Sequence, residues 1–194
     1  MKLASPALLL AFALTAFHAF AAPESAIVIS VPDQKLVLMQ NGVRVAEYPI
    51  STSRFGVGDR LGSYATPLGW LEVATKIGDN APLGAVFKDR RPTGEVIRPN
   101  APGRDPIVTR ILWLRGLESA SRNAYDRGIY IHGTPVERLI GRPVSYGCIR
   151  MRSRDVAELY GRVDVGTRVC ITPSPLRRVL AGLVANASGG NGEG

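Results

Sequence analysis

The strongest constraint on the fold is a pair of alternating runs joined by the dipeptide Asn41-Gly42. Residues 35–40 and 43–50 flank that dipeptide, and the apolar, β-branched run 26–31 precedes both. Asn-Gly is favoured in two-residue hairpin turns because both turn positions require a positive φ. Alternation with a period of two places one set of side chains on each face of a strand. The sequence therefore predicts an antiparallel β structure over residues 26–50.

The remaining periodicity predicts further strands and few helices. Runs at 69–75, 107–114, 128–132 and 165–171 are typical of strands. Short helices are predicted at 117–126, as one turn at 135–140, at 154–162, and as an amphipathic segment at 174–186. Ser153 is the expected N-cap of the third of these, with Asp155 in its first turn. The predicted fold class is mainly β with minor α.

Residues 77–105 follow neither period. Glycine, proline, asparagine and charged residues dominate there, as in Arg90-Arg91-Pro92. A loop of this length without regular structure is usually functional or mobile in a compact domain. Two interpretations stay open: a flap that lines a substrate site, and a passive surface loop.

The first 22 residues have the pattern of a secretory signal peptide. Lys2 precedes an apolar run at 8–20, and Ala19-Phe20-Ala21 offers small residues for cleavage after Ala21 or Ala22. The run is shorter than the ~20 residues that a membrane-spanning helix needs. We therefore expect export to the periplasm or cell wall and no stable membrane span after cleavage. An uncleaved N-terminal anchor is the alternative.

The net charge of the chain limits the classes of partner that it is expected to bind. The chain has 24 Lys and Arg against 16 Asp and Glu, a net charge of +8, which suits an acidic polymer. Nucleic acid is not expected as a partner, because the arginines are scattered and no nucleic-acid motif is present. No cofactor or metal is expected either, since one mature histidine and two separated cysteines do not make a zinc site. The oligomeric state is not indicated.

The residues that carry chemistry are His132 and, sixteen positions later, Cys148. A thiol is a strong nucleophile only as the thiolate, and a neighbouring imidazole is a common base for it. His132 ends a strand-like run, and Gly147 before Cys148 favours a tight turn. Such a turn can direct backbone N–H groups at the oxyanion of an acylation intermediate. The pair alone is a weak signal, since two core residues would look the same, so its flanking residues decide.

A second cysteine, Cys170, lies in the alternating run 166–172. Two cysteines in an exported protein suggest a disulfide, but that bond would consume the Cys148 thiol. We therefore predict that Cys170 is a free, structural thiol. A reversible bridge between the two cysteines is the alternative.

The flanking pattern, His132-Gly133-Thr134 and then Ser145-Tyr146-Gly147-Cys148-Ile149-Arg150, resembles the L,D-transpeptidase catalytic domain, the YkuD family. The resemblance covers roughly residues 25–172. It implies a mixed β-sandwich or barrel with a short helix after the catalytic cysteine. The domain organisation expected from it is a signal peptide at 1–22, the catalytic domain at 25–172, and a C-terminal helix and flexible tail at 173–194.

The resemblance also implies a reaction. Members of the family act on the stem tetrapeptides of peptidoglycan, where the cysteine forms a thioester and releases D-alanine. An amine acceptor then takes the acyl group, often in a 3→3 cross-link. By position, Cys148 matches the nucleophile, His132 the base, and Gly133 the residue whose carbonyl orients the imidazole. Acylation of Cys148 by carbapenem β-lactams is expected on the same ground.

The other motif residues have expected roles as well. The amides of Gly147 and Cys148 match the oxyanion hole. Ser145 and Arg150 are expected to bind substrate, with Arg150 ordering the loop as the alternative. Tyr146 departs from the family, which usually has histidine there; a tyrosine donates one hydrogen bond but does not become a cation at neutral pH. We therefore expect altered stabilisation of the oxyanion or a different acceptor.

Two other functions compete with acyl transfer to an amine. Water reaching the thioester would make the protein an L,D-carboxypeptidase or amidase with the same residues. A non-catalytic wall-binding domain is the third possibility. The presence of His132, Cys148 and Arg150 argues against it, because a binding domain needs no thiolate.

Overall fold

The structure is a computed structural model and describes residues 25–189, so the predicted signal peptide at 1–22 and the last tail residues lie outside it. The described residues form ten strands, two helices and a 3₁₀ turn at Glu137–Leu139. The strands are β1 (Ser25–Ser30), β2 (Lys35–Gln40), β3 (Val43–Pro49), β4 (Gly69–Ile77), β5 (Ala85–Lys88), β6 (Arg91–Val96), β7 (Ile107–Gly116), β8 (Tyr130–Gly133), β9 (Ile149–Met151) and β10 (Arg168–Thr172). The helices are α1 (Ser153–Arg162) and α2 (Leu176–Gly189). The predicted fold class, mainly β with minor α, is confirmed.

All ten strands belong to one sheet that branches at β7. The main path runs β3-β2-β1-β10-β4-β7-β5-β6, and β8 pairs with both β7 and β9. The β1–β10 and β8–β9 pairs are parallel, and the other pairs are antiparallel. One branch from β7 thus ends in the β5–β6 hairpin, and the other ends in the short strands that carry the sequence motif.

Alternation along β1 and β2 explains how the sheet is covered on both faces. Ile27, Ile29 and Leu38 are fully buried in the main core, which also contains the apolar face of α1. Val28 and Val37 face the other way and pack beneath α2. Full burial of a side chain of this size contributes roughly 1.5–3 kcal/mol, so α2 is a docked part of the domain. Within residues 25–189, no helix is both long and apolar enough to cross a bilayer.

The predicted Asn41-Gly42 hairpin is confirmed. The two residues have φ values of 50° and 75°, and Gln40 pairs directly with Val43 across the turn. Positive φ at both central positions defines the turn whose twist matches a hairpin, so the local sequence sets the register of β2 against β3.

The expectation that residues 77–105 lack regular structure is wrong. β4 extends to Ile77, and β5 and β6 form a hairpin that reverses at Asp89 and Arg90, where φ is 50° and 65°. Every residue of β6 is exposed, so no apolar face marks this strand in the sequence. Pro92 is tolerated because β6 is at the edge of the sheet, where an unmade ladder bond faces solvent.

Two helix predictions need correction. Residues 117–126 form successive turns instead of a helix, and the amide of Asn123 donates to the Asp59 carboxylate (2.7 Å). Helix α1 begins at Ser153 itself, and its preceding residue makes no side-chain cap. The Ser153 amide donates to Glu137 Oε1 (2.8 Å). In both cases a backbone N–H donates to the carboxylate of a residue that is distant in sequence, and local propensity does not indicate such a hydrogen bond.

Candidate active site

The parallel ladder between β8 and β9 brings the two halves of the motif together. Ile131 pairs with Ile149, and His132 pairs with Arg150. Because successive strand residues face opposite sides, Ile131 and Ile149 enter the main core while His132 and Arg150 share the other face. Cys148 directly precedes β9. The fold therefore places the two candidate catalytic residues at neighbouring strands.

The turn before Cys148 is fixed by its own hydrogen bonds and by tight packing. Gly147 has a φ of 118°, and a Cβ there would lie 3.2 Å from Ile129 Cδ1 and 3.3 Å from Ala65 O. Ser145 Oγ donates to Cys148 O (2.6 Å) and accepts from the Gly147 N–H (3.2 Å). The buried Ser145 hydroxyl thus serves the turn, which argues against its predicted contact with substrate. The Gly147 amide expected in the oxyanion hole is engaged by that hydroxyl.

Backbone groups hold the Cys148 thiol. It accepts a hydrogen bond from the Tyr130 N–H (3.4 Å) and donates one to Gly128 O (3.3 Å). Neither of these hydrogen bonds involves His132. Burial raises the pKa of the Cys148 thiol to about 11. The resting group at pH 7 is therefore the neutral thiol and not a preformed thiolate.

His132 is buried, with 7% of its surface exposed, and its tautomer follows from one contact. Nδ1 lies 2.8 Å from Gly133 O. A carbonyl oxygen only accepts, so Nδ1 carries the proton and Nε2 keeps its lone pair. Burial lowers the pKa of His132 to about 4, although the Gly133 carbonyl raises it. The imidazole is neutral at pH 7, which is the state a base requires.

Gly133 packs against an irregularity in β7. A Cβ at Gly133 would lie 2.6 Å from Val108 O and 3.1 Å from Thr109 Cβ. The register between β7 and β8 shifts between Val108 and Ile111, and Thr109 has a φ of 73°, which is unusual for a β-branched residue. Only glycine fits without displacement at the position after His132.

Arg150 anchors β9 to the chain that enters β7. Its guanidinium pairs with Asp105 Oδ2 (2.5 Å) and donates to Thr134 Oγ1 (2.7 Å), which donates to Asp105 Oδ1 (2.6 Å). The Arg150 side chain is 8% exposed. This placement favours the interpretation in which Arg150 orders the loop over the one in which it binds substrate. Sequence reasoning missed Asp105, because a single acid at the end of a polar segment has no distinguishing pattern.

An exposed cluster borders the Cys148 turn, and we call it the aromatic rim: Phe55, Tyr64, Tyr146 and Arg54. The three rings are 51–59% exposed, and their centroids are 5.5–5.9 Å apart. Arg54 Nη2 donates to Tyr146 Oη (2.5 Å), and its Cζ lies 4.4 Å from the centre of the Tyr146 ring. Sequence reasoning missed all of these except Tyr146, since they lie in a connection without periodicity.

A buried ion pair supports the segment that carries the rim. Arg127 Nη1 lies 3.0 Å from Asp59 Oδ1, and the two side chains are 6% and 7% exposed. Arg127 also donates to Ala65 O (2.5 Å), next to Tyr64. This pair fixes residues 58–65 against the turns that precede β8, and it too has no signal in the sequence.

The β5–β6 hairpin reaches the site from another direction. Arg90 in its turn donates to Tyr130 Oη (3.3 Å), and its Cζ lies 4.8 Å from the centre of the Trp113 ring. The backbone N–H of the same Tyr130 donates to the Cys148 thiol. The hairpin thus contacts a direct neighbour of the thiol, which favours the flap interpretation of this segment over a passive loop.

Neither a metal centre nor a disulfide is found in the described part of the chain. Among residues 25–189, no three His, Cys, Asp or Glu side chains cluster as metal ligands do. Cys170 is half-buried on β10, opposite Trp70, and both it and Cys148 are free thiols.

The sequence model of the L,D-transpeptidase catalytic domain (YkuD) matches residues 24–171. The chain belongs to this family. Two proteins of Escherichia coli K12 are similar over most of it. Probable L,D-transpeptidase YcfS is 32% identical over 165 residues, covering 80% of this chain and 46% of the relative. Probable L,D-transpeptidase YbiS is 28% identical over 174 residues, covering 80% and 53%.

The chain therefore spans about half the length of these L,D-transpeptidase relatives. A solved L,D-transpeptidase from Mycobacterium smegmatis has a similar fold, with a TM-score of 0.51 at 16% identity over 77% of this chain and 59% of that one. The resemblance inferred from the motif and the fold expected from it are both confirmed.

Proposed function

We propose that this protein is a peptidoglycan L,D-transpeptidase that works through a thioester on Cys148. The observation that carries the proposal is the state of His132. Its imidazole is neutral at pH 7 and directs its proton to Gly133 O, which leaves Nε2 free to accept a proton at the strand beside the thiol. A wall-binding domain needs neither an oriented base nor a thiol at a glycine turn.

Acylation begins with transfer of the thiol proton to His132 Nε2. The Cys148 sulfur attacks the carbonyl carbon between the L-centre of diaminopimelate and D-alanine, and the carbonyl oxygen takes the negative charge. Collapse of this intermediate breaks the C–N bond, and the imidazolium gives its proton to the leaving amine of D-alanine. The product is a thioester. Because both groups are neutral at rest, the thiolate forms only when His132 takes the thiol proton during acylation.

Transfer completes the cycle when an acceptor amine attacks the thioester. His132 takes a proton from that amine, an amide bond forms, and the imidazolium returns its proton to the departing sulfur. A second diaminopimelate amine gives a 3→3 cross-link, and another amine gives an attachment. The β5–β6 hairpin beside Tyr130 is the segment that we propose limits the access of water to the thioester.

The supporting residues follow from their placement. Gly133 holds the imidazole by its carbonyl, and the Cys148 N–H is our proposed donor to the oxyanion. The Gly147 N–H contributes only if it leaves Ser145 Oγ. Ser145 and Arg150 hold the turn and β9 in place, and Tyr146 lies at the mouth of the site.

The proposal also covers the substrate of the protein, its location and its reaction with carbapenems. The substrates are peptidoglycan stem peptides, so the protein works in the periplasm or at the cell wall after export. Carbapenems acylate Cys148, since ring opening of a β-lactam gives the same type of thioester. A mass increase equal to one intact carbapenem, located on the Cys148 peptide, is the expected result.

The deciding experiment is mass spectrometry of products formed from a diaminopimelate-containing disaccharide-tetrapeptide. Wild-type protein is expected to yield a dimer that lacks one D-alanine, and Cys148→Ala is expected to yield none. Tripeptide without dimer would replace transfer by hydrolysis and make the protein an L,D-carboxypeptidase. Absence of both products with a reduced, titratable thiol would contradict the proposal.

A further inference from the structure

Two arginines whose charges act on the Cys148 thiol are not available to a substrate. Arg127 and Arg150 are both buried, and each is paired with a carboxylate of the chain itself, Asp59 and Asp105. A peptide carboxylate would have to compete with these partners for the two guanidinium groups. Both arginines thus support the site without presenting a free guanidinium.

Arg54 differs from them in exposure and in pairing. Its residue is exposed, and no aspartate or glutamate within the described chain forms an ion pair with it. It is held by aromatic groups: Tyr146 Oη accepts from Nη2, and the guanidinium lies over the Tyr146 ring at 4.4 Å and the Phe55 ring at 5.7 Å. A guanidinium has five N–H donors, and the phenol uses one. The others suit a carboxylate.

The backbone fixes this cation to the turn that carries the thiol. The Arg54 N–H donates to Ser145 O (3.1 Å), and Tyr146 is two residues before Cys148. Stacking and hydrogen bonding together restrict the rotamers of a side chain that is otherwise mobile, so less entropy is lost when a ligand binds.

We infer that Arg54, stacked on Tyr146, is a carboxylate-binding residue at the mouth of the Cys148 site. Tyr146 is its positioning residue. The inference rests on the proposed function, because it concerns two of the carboxylates on the stem peptide: the terminal carboxylate of D-alanine and the free carboxylate of diaminopimelate. Tyr146 is itself neutral. By holding Arg54, it places a positive charge at the mouth of the site.

The first test measures binding without turnover. Titration calorimetry of Cys148→Ala with the stem tetrapeptide is compared with Cys148→Ala/Arg54→Gln. Loss of charge-assisted hydrogen bonds predicts roughly 10- to 100-fold weaker binding in the double variant. Cys148→Ala/Arg178→Gln is the matched control, because Arg178 is an exposed arginine on α2, which packs on the outer face of β1 and β2. It is expected to bind like Cys148→Ala alone.

Two modified peptides identify the carboxylate. One has the D-alanine carboxylate converted to an amide, and the other has the diaminopimelate carboxylate converted. The peptide that lacks the bound carboxylate is expected to bind weakly, with no further loss on Arg54→Gln. Arg54→Lys keeps the charge without the fork and is expected to be intermediate. Tyr146→Phe keeps the ring and loses the acceptor, and it is expected to weaken binding of the unmodified peptide less than Arg54→Gln does.

The outcomes separate this inference from the proposed function. Transpeptidation by the wild type with equal binding by the two Cys148→Ala backgrounds would overturn the carboxylate site alone. Arg54-dependent binding that disappears in one amidated peptide, without turnover by the wild type, would support the site and contradict the transpeptidase. An equal loss on Arg54→Gln for the acid peptide and both amide peptides would show that Arg54 binds neither of these carboxylates, and it would overturn the inference.

Discussion

We call the strand face that carries His132 and Arg150 the inner face of the site. It differs from the aromatic rim in burial and in the pairing of its charges. On the inner face, His132 and Arg150 are buried, and Arg150 is paired with Asp105. On the rim, Arg54 and Tyr146 are exposed and contact each other. The inner face has its charges neutralised by the chain itself, and the rim retains a cation without an acidic partner among residues 25–189.

In the proposed mechanism this difference separates the residues that carry the chemistry from those that bind the substrate. Burial keeps His132 and Cys148 neutral and orients them, because an unpaired charge in a low-dielectric site is costly. Exposure lets a guanidinium exchange water for a ligand at small cost. Changes on the inner face are therefore expected to alter rate and stability together, and changes on the rim are expected to alter substrate binding.

The largest expected effect follows from removing His132, the proposed base. His132→Gln keeps a polar side chain of similar length but has no basic nitrogen, so acylation by tetrapeptide is expected to fall about 10²- to 10⁴-fold. In the wild type the acylation rate should stay level from pH 7 down toward pH 4, because the pKa of His132 is lowered to about 4. Stopped-flow acylation across this range checks both points. A rate that halves near pH 6.5 would show that the imidazole is not buried as described.

Protonation of His132 is also expected to make the folding stability depend on pH. The pKa of His132 is about 4 in the folded protein and 6.5 as its ordinary value, so the unfolded chain binds the proton first. Stability is fully present above pH 6.5 and is lost as the pH falls toward 4, by roughly 3 kcal/mol. Urea unfolding of wild type and His132→Gln at pH 7 and pH 4.5 isolates this contribution. An identical pH dependence in the two proteins would contradict it.

The next largest effect is expected from breaking the Arg150–Asp105 ion pair, which should lower the free energy of unfolding. Arg150→Met fills the space but leaves the Asp105 carboxylate without its partner. Because Asp105 is 38% exposed, we expect a loss of about 2 kcal/mol, less than for a fully buried pair. The free energy of unfolding from urea titration measures it. The double variant Arg150→Met/Asp105→Asn is expected to recover part of the loss, and no recovery would show that the two residues act independently.

The smallest effect is expected from a substitution in the aromatic rim, and it concerns the acylation rate. Tyr146→Phe removes the acceptor for Arg54 and keeps the ring beneath the guanidinium. We expect acylation to slow only severalfold, in keeping with about 1 kcal/mol for one hydrogen bond, and the melting temperature to stay unchanged. Single-turnover acylation with tetrapeptide is the measurement. An unchanged rate would show that the hydroxyl is a bystander.

Sequence reasoning succeeded where structure depends on neighbours along the chain. The Asn41-Gly42 turn, the alternation in β1 and β2, and the family motif around Cys148 were all readable, because turn chemistry and period-two burial are local. It failed for β6, whose exposed residues have no apolar face, and for residues 117–126, where the Asp59 carboxylate takes an amide that a helix would have used.

The sequence by itself determined the mainly β architecture, the family, and the pair of residues proposed to carry the chemistry. Tertiary structure decided the state of that pair. The protonation of His132 and Cys148 depends on burial, and burial arises only when β8, β9 and the β5–β6 hairpin meet. It also decided which arginines near the thiol are paired: Asp59 and Asp105, each distant in sequence from its partner, neutralise Arg127 and Arg150, whereas Arg54 has no acidic partner among residues 25–189. Charge pairing across the fold depends on distances that no local pattern encodes.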